Sequence, residues 1–258
     1  MNELVKHVAE SDSSHPVERL LRAIPIFADL PPAVLARLTL ISEEFSVTRG
    51  TALCVQGLLP DVLHVLTEGQ VALTGAAPDG TTAVVDVLRP VSHFVLAAVL
   101  TEQAYLMSAI AVQSCTGVAI NAAGLRQLLR EEPALALAVL HAQARDFRLM
   151  VRQVRDLKLR SAAQRLGCYL LALVEAPDAV RADIRLPFEK GLLAARLGCR
   201  AENLSRAFAT LREHGVRTHG TRVLLQDIDR LRAFAVPDAL PDPPWPDPGQ
   251  SAVPPGEI

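Results

Sequence analysis

The sequence predicts an α+β chain: a helical lead-in and a β-rich roll or sandwich, then a long helix feeding a helix-turn-helix flanked by short strands. Three observations carry this. Between about Glu44 and Ile120 short β-rich runs alternate with turn signals. After Pro133 apolar residues recur at heptad spacing. In "LLAARLGCRAENLSRAFATLREHGV", residues 192–216, a helical period stops at Gly198 and resumes on a polar face.

The elements follow in order. Residues 16–42 read as helical, with Leu20, Leu21 and Ile24 in period and Asp29 or Leu30 ahead of a proline start in "DLPPAVLARL". The runs "VLHVL", "QVALTG", "TTAVVDVL" and "SAIAV" are separated at Gly50, Gly57, Gly69 and Gly80, which implies an antiparallel roll. "NAAGLRQLLREEP" is a helix, and the long one follows. There Leu137, Leu140, Ala144, Phe147, Val151 and Val154 form a seam at steps of three and four, with Arg145, Arg148, Arg152 and Arg155 outside it. The seam suits a symmetric helix pair or packing against the sheet, and Leu135 and Val139 form a second row that could face the β-rich unit. "ADIRLPFEK" reads as a strand leading into a helix start, and "VRTHGTRVLL" as two strands turning at His219-Gly220. The expected division is 1–132 the β-rich unit with its helical lead-in, 133–157 the long helix, 158–236 helix-turn-helix and 237–258 a disordered tail, in which eight of 22 residues are proline.

Composition narrows the function. Of 258 residues 50% are hydrophobic and 21% charged, with no apolar run long enough to span a membrane and no signal-peptide layout at "MNELVKHVAESDSSH", so a cytoplasmic protein is expected. Cys54, Cys115, Cys168 and Cys199 are scattered, without metal-ligand spacing. The net charge of −2 hides a division: residues 158–236 carry 14 basic against 8 acidic side chains, whereas 1–157 carry 12 against 16. The cationic unit is the one holding the helix-turn-helix, which suits phosphate neutralisation. No nucleophile triad, phosphate-cradling loop or metal spacing points to an enzyme.

A helix-turn-helix that reads DNA needs a turn residue free to take positive φ and apolar side chains on its inner faces alone. With Gly198 at the turn, Leu193, Ala194 and Leu197 fill the first inner face and Leu204 and Ala207 the second. Arg200, Glu202, Asn203, Ser205 and Arg206 then project where a major groove would lie. Arg206 can fork onto guanine O6 and N7, Glu202 can accept from cytosine N4, and Ser205 can reach a base or a thymine methyl. Arg212, Arg217 and Arg222 suit phosphates. An ordinary helical hairpin with a charged face is the plain alternative.

In element order, and in "IFADLPPAVLARL", the glycines of the roll and "ENLSR", the chain resembles the CRP/FNR family of bacterial transcription regulators over about Phe27 to Phe234. The resemblance implies a cyclic-nucleotide-binding-type β-roll, a dimerisation helix and a winged helix-turn-helix, acting on double-stranded DNA as a homodimer and touching RNA polymerase through roll or C-terminal loops. It also implies a hinge near Asp156-Leu157-Lys158. Glu202, Ser205 and Arg206 match the E-x-x-S-R pattern of the FNR branch and would read a TTGAT-like half-site; Asn203 stands where many members have Thr.

The sensory segment departs from the cyclic-nucleotide-binding pattern. Aligned without gaps on Phe94 and Ser108-Ala109, "SHFVLAAVLTEQAYLMSAIAV" has Ala97 at the ribose-binding glutamate and Met107 at the phosphate-binding arginine, so no cyclic AMP is expected. No cysteine precedes Cys54, so no iron–sulfur cluster of the FNR type is expected. The remaining apolar pocket, with His93, Phe94, Leu96, Ala97, Met107 and Ser108, resembles the DNR/NNR-type regulators of denitrification. That implies nitric oxide sensing through haem, with His93 as the first axial-ligand candidate and His15, His64 and His141 behind it. A different small-molecule effector, constitutive DNA binding, or an adaptor that uses the fold only to dimerise stay open.

Overall fold

The computed structural model describes residues 16–237 except 78, 81, 175, 177 and 187–189; His15 and the proline-rich segment beyond Pro237 lie outside the described residues. The lead-in is two short helices, α1 (Pro16–Ala23) and α2 (Pro32–Thr39), the second with proline in its first turn. Turns between them bury Ile24, Ile26, Phe27 and Leu30.

Among the described residues eight strands make the roll: β1 (Ser42–Val47), β2 (Ala52–Cys54), β3 (Val62–Glu68), β4 (Val71–Ala76), β5 (Thr82–Leu88), β6 (Ser92–Phe94), β7 (Ser108–Ala111) and β8 (Cys115–Asn121). They form two four-stranded antiparallel sheets, ordered β1-β8-β3-β6 and β2-β7-β4-β5. A short helix, α3 (Leu96–Thr101), interrupts the strands.

The first sheet is buried on both faces, and strand alternation assigns each residue to one of them. Leu63 and Val65 of β3, with Val118 and Ile120 of β8, pack against Leu21, Phe27, Leu35 and Leu38 and against the helices that follow. Leu66, Phe94 and Cys115 turn the other way, into the roll interior with Cys54, Val71, Tyr105 and Ala109. The interior face of β8 is kept small where rings must fit: Gly117 pairs with Phe45, and Ala119 pairs with His64. A Cβ at Gly117 would stand 2.1 Å from the Val65 carbonyl oxygen and 2.7 Å from the Phe45 ring.

Helix α4 (Ala122–Glu131) starts where the Asn121 side chain accepts the Gly124 N–H at 2.8 Å. Glu132 is extended and Pro133 opens α5 (Pro133–Leu159), 27 residues long. Leu135, Val139 and Ala142 are the row of α5 that faces the lead-in and first sheet. The heptad seam lies on another face and is exposed, with Leu140 and Phe147 each 62% accessible. Where the hinge was expected at Asp156-Leu157-Lys158, the chain is still helical, and Asp156 is buried, accepting from Arg160 at 2.8 Å. Helical geometry ends at Arg160 (φ −118, ψ 139), after which a Ser161/Gln164 capping box opens α6 (Ala162–Ala172).

The C-terminal unit continues with β9 (Ala182–Arg185), α7 (Lys190–Arg196), α8 (Ala201–Arg212), β10 (Val216–His219), β11 (Arg222–Leu225) and α9 (Ile228–Ala235). Its three strands form an antiparallel sheet ordered β10-β11-β9. Among the described residues no helix is long and apolar enough to cross a membrane.

The packing at Gly117 carries a prediction. Gly117→Ala should lower the unfolding free energy by about 1–3 kcal/mol in urea denaturation, because one methyl has to displace backbone and a ring together. A change within experimental error would show that the two faces of β8 are not tightly packed there.

Candidate nucleic-acid interface and effector pocket

Helices α7 and α8 meet at Gly198, whose φ is +62°. The left-handed turn selects glycine, and so does crowding: a Cβ there would lie 2.4 Å from Leu157 at the end of α5. Leu193, Ala194, Leu197, Leu204 and Ala207 are all buried, as the inner faces of a helix-turn-helix require, and Phe208 and Leu211 extend that core. Arg200, Glu202, Asn203, Ser205 and Arg206 are exposed together over the first turns of α8. The guanidinium groups of Arg200 and Arg206 make no hydrogen bond or ion pair among the described residues, whereas the Ser205 hydroxyl donates back to the Ala201 carbonyl at 3.1 Å.

The strands after α8 form the wing. Arg222, expected at a phosphate, is engaged within the chain: its Nε donates to both carboxylate oxygens of Asp183 on β9 at 2.8 Å, and its Nη2 makes a further bond to the same group. Hydrogen bonding to Arg222 holds the Asp183 carboxyl below its usual range. Arg217 of β10 is exposed with no partner among the described residues, as is Arg212 at the end of α8. These are the better placed cations for a phosphate.

The residues expected in the effector pocket do not converge. Phe94 does turn into the roll interior. Leu96 turns the other way, into the core shared with the helices, and Ala97 is exposed. Met107 is half-buried, with its carbonyl oxygen 3.7 Å from the Cys54 thiol. The Ser108 hydroxyl accepts the Gln56 N–H at 3.0 Å and so ties β7 to the loop after β2. His93 corrects the metal-ligand expectation: next to inward-facing Phe94 on β6, it must face outward, and its Nε2 lies 2.9 Å from the Asp146 carboxylate on α5. His141 lies outside the roll, lining an open cleft of about 600 Å³ with Ile26, Leu30 and Leu137.

The imidazole that does face the interior is His64. Its ring stacks on Phe94 at 5.3 Å between centroids and meets Phe45 edge-on at 5.5 Å. Its Nδ1 is buried without a hydrogen-bond partner. Desolvation lowers its pKa from 6.5 to about 4, with the charge of Asp61 pulling weakly the other way. Around it stand apolar side chains, the Cys54 and Cys115 thiols and Tyr105; the one buried arginine among the described residues, Arg196, lies on α7. The period-two alternation of "VLHVL" already placed His64 with Leu66 and opposite Leu63 and Val65, so this signal was available in the strand itself.

A buried neutral imidazole makes stability depend on pH. Because the folded pKa lies below the unfolded one, the unfolded chain binds the extra proton, so stability is full above about pH 6.5 and falls as pH drops toward 4. By pH 4.5 this one group should cost roughly 2–3 kcal/mol. His64→Phe keeps the ring stack and should lose that share of the pH dependence in urea denaturation at pH 7 and 4.5. An unchanged slope would place the imidazole in water.

Comparison with known proteins gives the same two units. Residues 44–132 match the cyclic nucleotide-binding domain and residues 164–234 the Crp-like helix-turn-helix domain. The structure of a proposed cyclic nucleotide binding protein from Ruegeria pomeroyi is 31% identical, covering 86% of this chain and 98% of that one, with a TM-score of 0.58. A CRP-like cAMP-activated global transcriptional regulator of Mycobacterium tuberculosis is 24% identical over 221 residues, 83% of this chain and 98% of the relative. FixK2 of Bradyrhizobium japonicum, 18% identical over 75% of this chain and 96% of its own, shares the fold with a TM-score of 0.62. With an inner-packed helix-turn-helix behind a two-sheet roll and a relative matched along nearly its whole length, the chain belongs to the CRP/FNR family of DNA-binding transcription regulators.

Proposed function

We propose that the chain is a cytoplasmic homodimer that reads an FNR-type palindrome and is controlled by a largely apolar effector in the roll. The observation that carries the DNA reading is the exposed row Arg200, Glu202, Asn203, Ser205 and Arg206, presented by a helix whose opposite face is fully packed. Arg206 supplies the bidentate guanine contact, Glu202 the cytosine acceptor and Ser205 the neighbouring base or methyl contact. Arg212 and Arg217 position the unit on phosphates, a role Arg222 shares less because Asp183 holds it. The exposed seam of α5 supports pairing with a second copy, since Leu137, Leu140, Phe147, Val151 and Val154 are otherwise left in water. Pairing places two α8 helices for half-sites one turn apart. RNA polymerase is then met through roll or C-terminal loops, and no chemical turnover is assigned to the chain.

The roll interior suits a largely apolar ligand, because the cluster around His64 is built of apolar side chains, and none of the side chains of described residues buried there is a lysine or arginine that could pair with a phosphate. The apolar macrocycle of haem suits such an interior provided that its two propionates reach solvent, and the donor chemistry fits at His64, whose Nδ1 is buried, neutral and unpaired, rather than at His93. A haem there would supply an iron able to take nitric oxide; the chain's part is to hold the imidazole neutral between Phe94 and Phe45 and to keep water out. The second reading, another small apolar effector, rests on the same cluster. Absorption titration with haem separates them: a stoichiometric Soret band that His64→Phe removes supports haem, and no uptake sends the search to other ligands.

DNA binding is tested by fluorescence anisotropy on a TTGAT-N4-ATCAA duplex. Arg206→Ala should cost roughly 1–3 kcal/mol and relax preference at one position of each half-site. Arg217→Ala should weaken all sequences alike and reduce the magnitude of the salt slope by about one for each phosphate it no longer neutralises. Equal weakening on specific and scrambled duplexes for Arg206→Ala would remove it from base reading.

A further inference from the structure

The first helix of the DNA-binding unit is fastened to an edge strand of its own chain's roll. Arg196, the last residue of α7, is buried, and its Nη1 donates to the Asp86 carboxylate at 3.2 Å and to the Val87 carbonyl at 3.0 Å. Both acceptors are on β5, an edge strand of the second sheet. Asp86 also accepts the Val87 N–H at 2.8 Å. Val87, fully buried, packs in the core of the helix-turn-helix, with Val84 beside it. The next residue, Leu88, packs in the roll interior instead. Three residues of one edge strand thus touch both the effector compartment and the first helix of the reading unit.

The same segment continues into β6 with the same two-sidedness. Phe94 stacks on His64 inside the roll, and His93 bonds to Asp146 of α5 outside it. Residues 86–94 therefore hold both the recognition unit and the long helix from one strap whose inward side chains line the interior.

We propose that Arg196, Asp86 and Val87 form a latch that docks the helix-turn-helix on its own roll and restrains DNA binding until the strap moves. Among the described residues the contact centres on the Arg196–Asp86 ion pair, the Arg196 bond to the Val87 carbonyl and the side chains of Val84 and Val87, and α5 ends in the extended residue Arg160, about which the unit can swing. On this proposal the docked orientation differs from the one that sets two α8 helices on half-sites one turn apart, so docking competes with DNA. An effector that displaces Leu88 or Phe94 shifts the population from docked to free. The latch rests on the DNA-binding reading above only for its consequence; the docking itself can be measured without DNA.

The test uses the full chain with Asp86→Asn, which keeps the shape and the acceptor for Val87 N–H but removes the charge, and Arg196→Gln, which keeps a donor for the Val87 carbonyl. The first tryptic cut at Lys158 or Arg160, mapped by mass spectrometry, should be several-fold faster in each variant, and the double variant should be no faster than the quicker single one. Affinity for the TTGAT-N4-ATCAA duplex without added effector should rise several-fold. Unchanged cleavage, additive effects, or a lower melting temperature for the roll itself would each overturn the latch. Faster cleavage with unchanged or weaker DNA binding would overturn the restraint. If the parent chain binds no duplex, the cleavage rates still decide the docking, so the two claims fail separately.

Discussion

The two-sided burial of the sheet β1-β8-β3-β6 is the constraint on which the other features rest. A sheet with solvent on one face could tolerate a slip of one residue; here a slip would carry Leu63, Val65, Val118 and Ile120 into the roll and push His64, Leu66 and Phe94 onto the helices. Each of those aliphatic side chains is fully buried, and burying one is worth about 1.5–3 kcal/mol. Register, pocket lining and the seat of the long helix are therefore fixed together. The helices of the lead-in and α5 cover the outer face, and the second sheet closes over the inner one.

That alternation explains what was legible and what was not. Element order, the break at Gly198 and the faces of α7 and α8 followed from period and turn chemistry, because a helix-turn-helix is assembled from neighbours in sequence. The second apolar row of α5, Leu135 and Val139, was likewise readable and does face the sheet. The pocket was not. His93, Leu96 and Ala97 are grouped with Phe94 as chain neighbours, and Met107 and Ser108 by alignment with the family's phosphate-binding pair, yet in a strand neighbours point apart, and a short helix rotates Leu96 and Ala97 further. His64 lay in the reading frame of β3 all along, but its stacking on Phe94 depends on which strands pair.

Charge pairing over long separations was the other unreadable layer. Arg222 looked like a phosphate contact by position in the wing, and only the register of β11 on β9 brings Asp183 to it. Asp146 sits outside the heptad seam and appears as one more charged flank until β6 is placed against it. Asp86 and Arg196 are 110 residues apart. This last pair, with Arg196 buried, places charge where truncating one partner costs more than the pair contributes, so it specifies orientation more than it adds stability. Asp156 is likewise held within the helix by Arg160, four residues on, and the helical geometry ends at Arg160 itself.

The central claim is that the polar face of α8 reads a two-fold DNA site. Selection from a random duplex library by the full chain, followed by sequencing, tests this without presuming the site. The account predicts enrichment of an inverted repeat with half-site centres one helical turn apart. Enrichment of a single unrepeated element, or no enrichment over input at moderate salt, would contradict it.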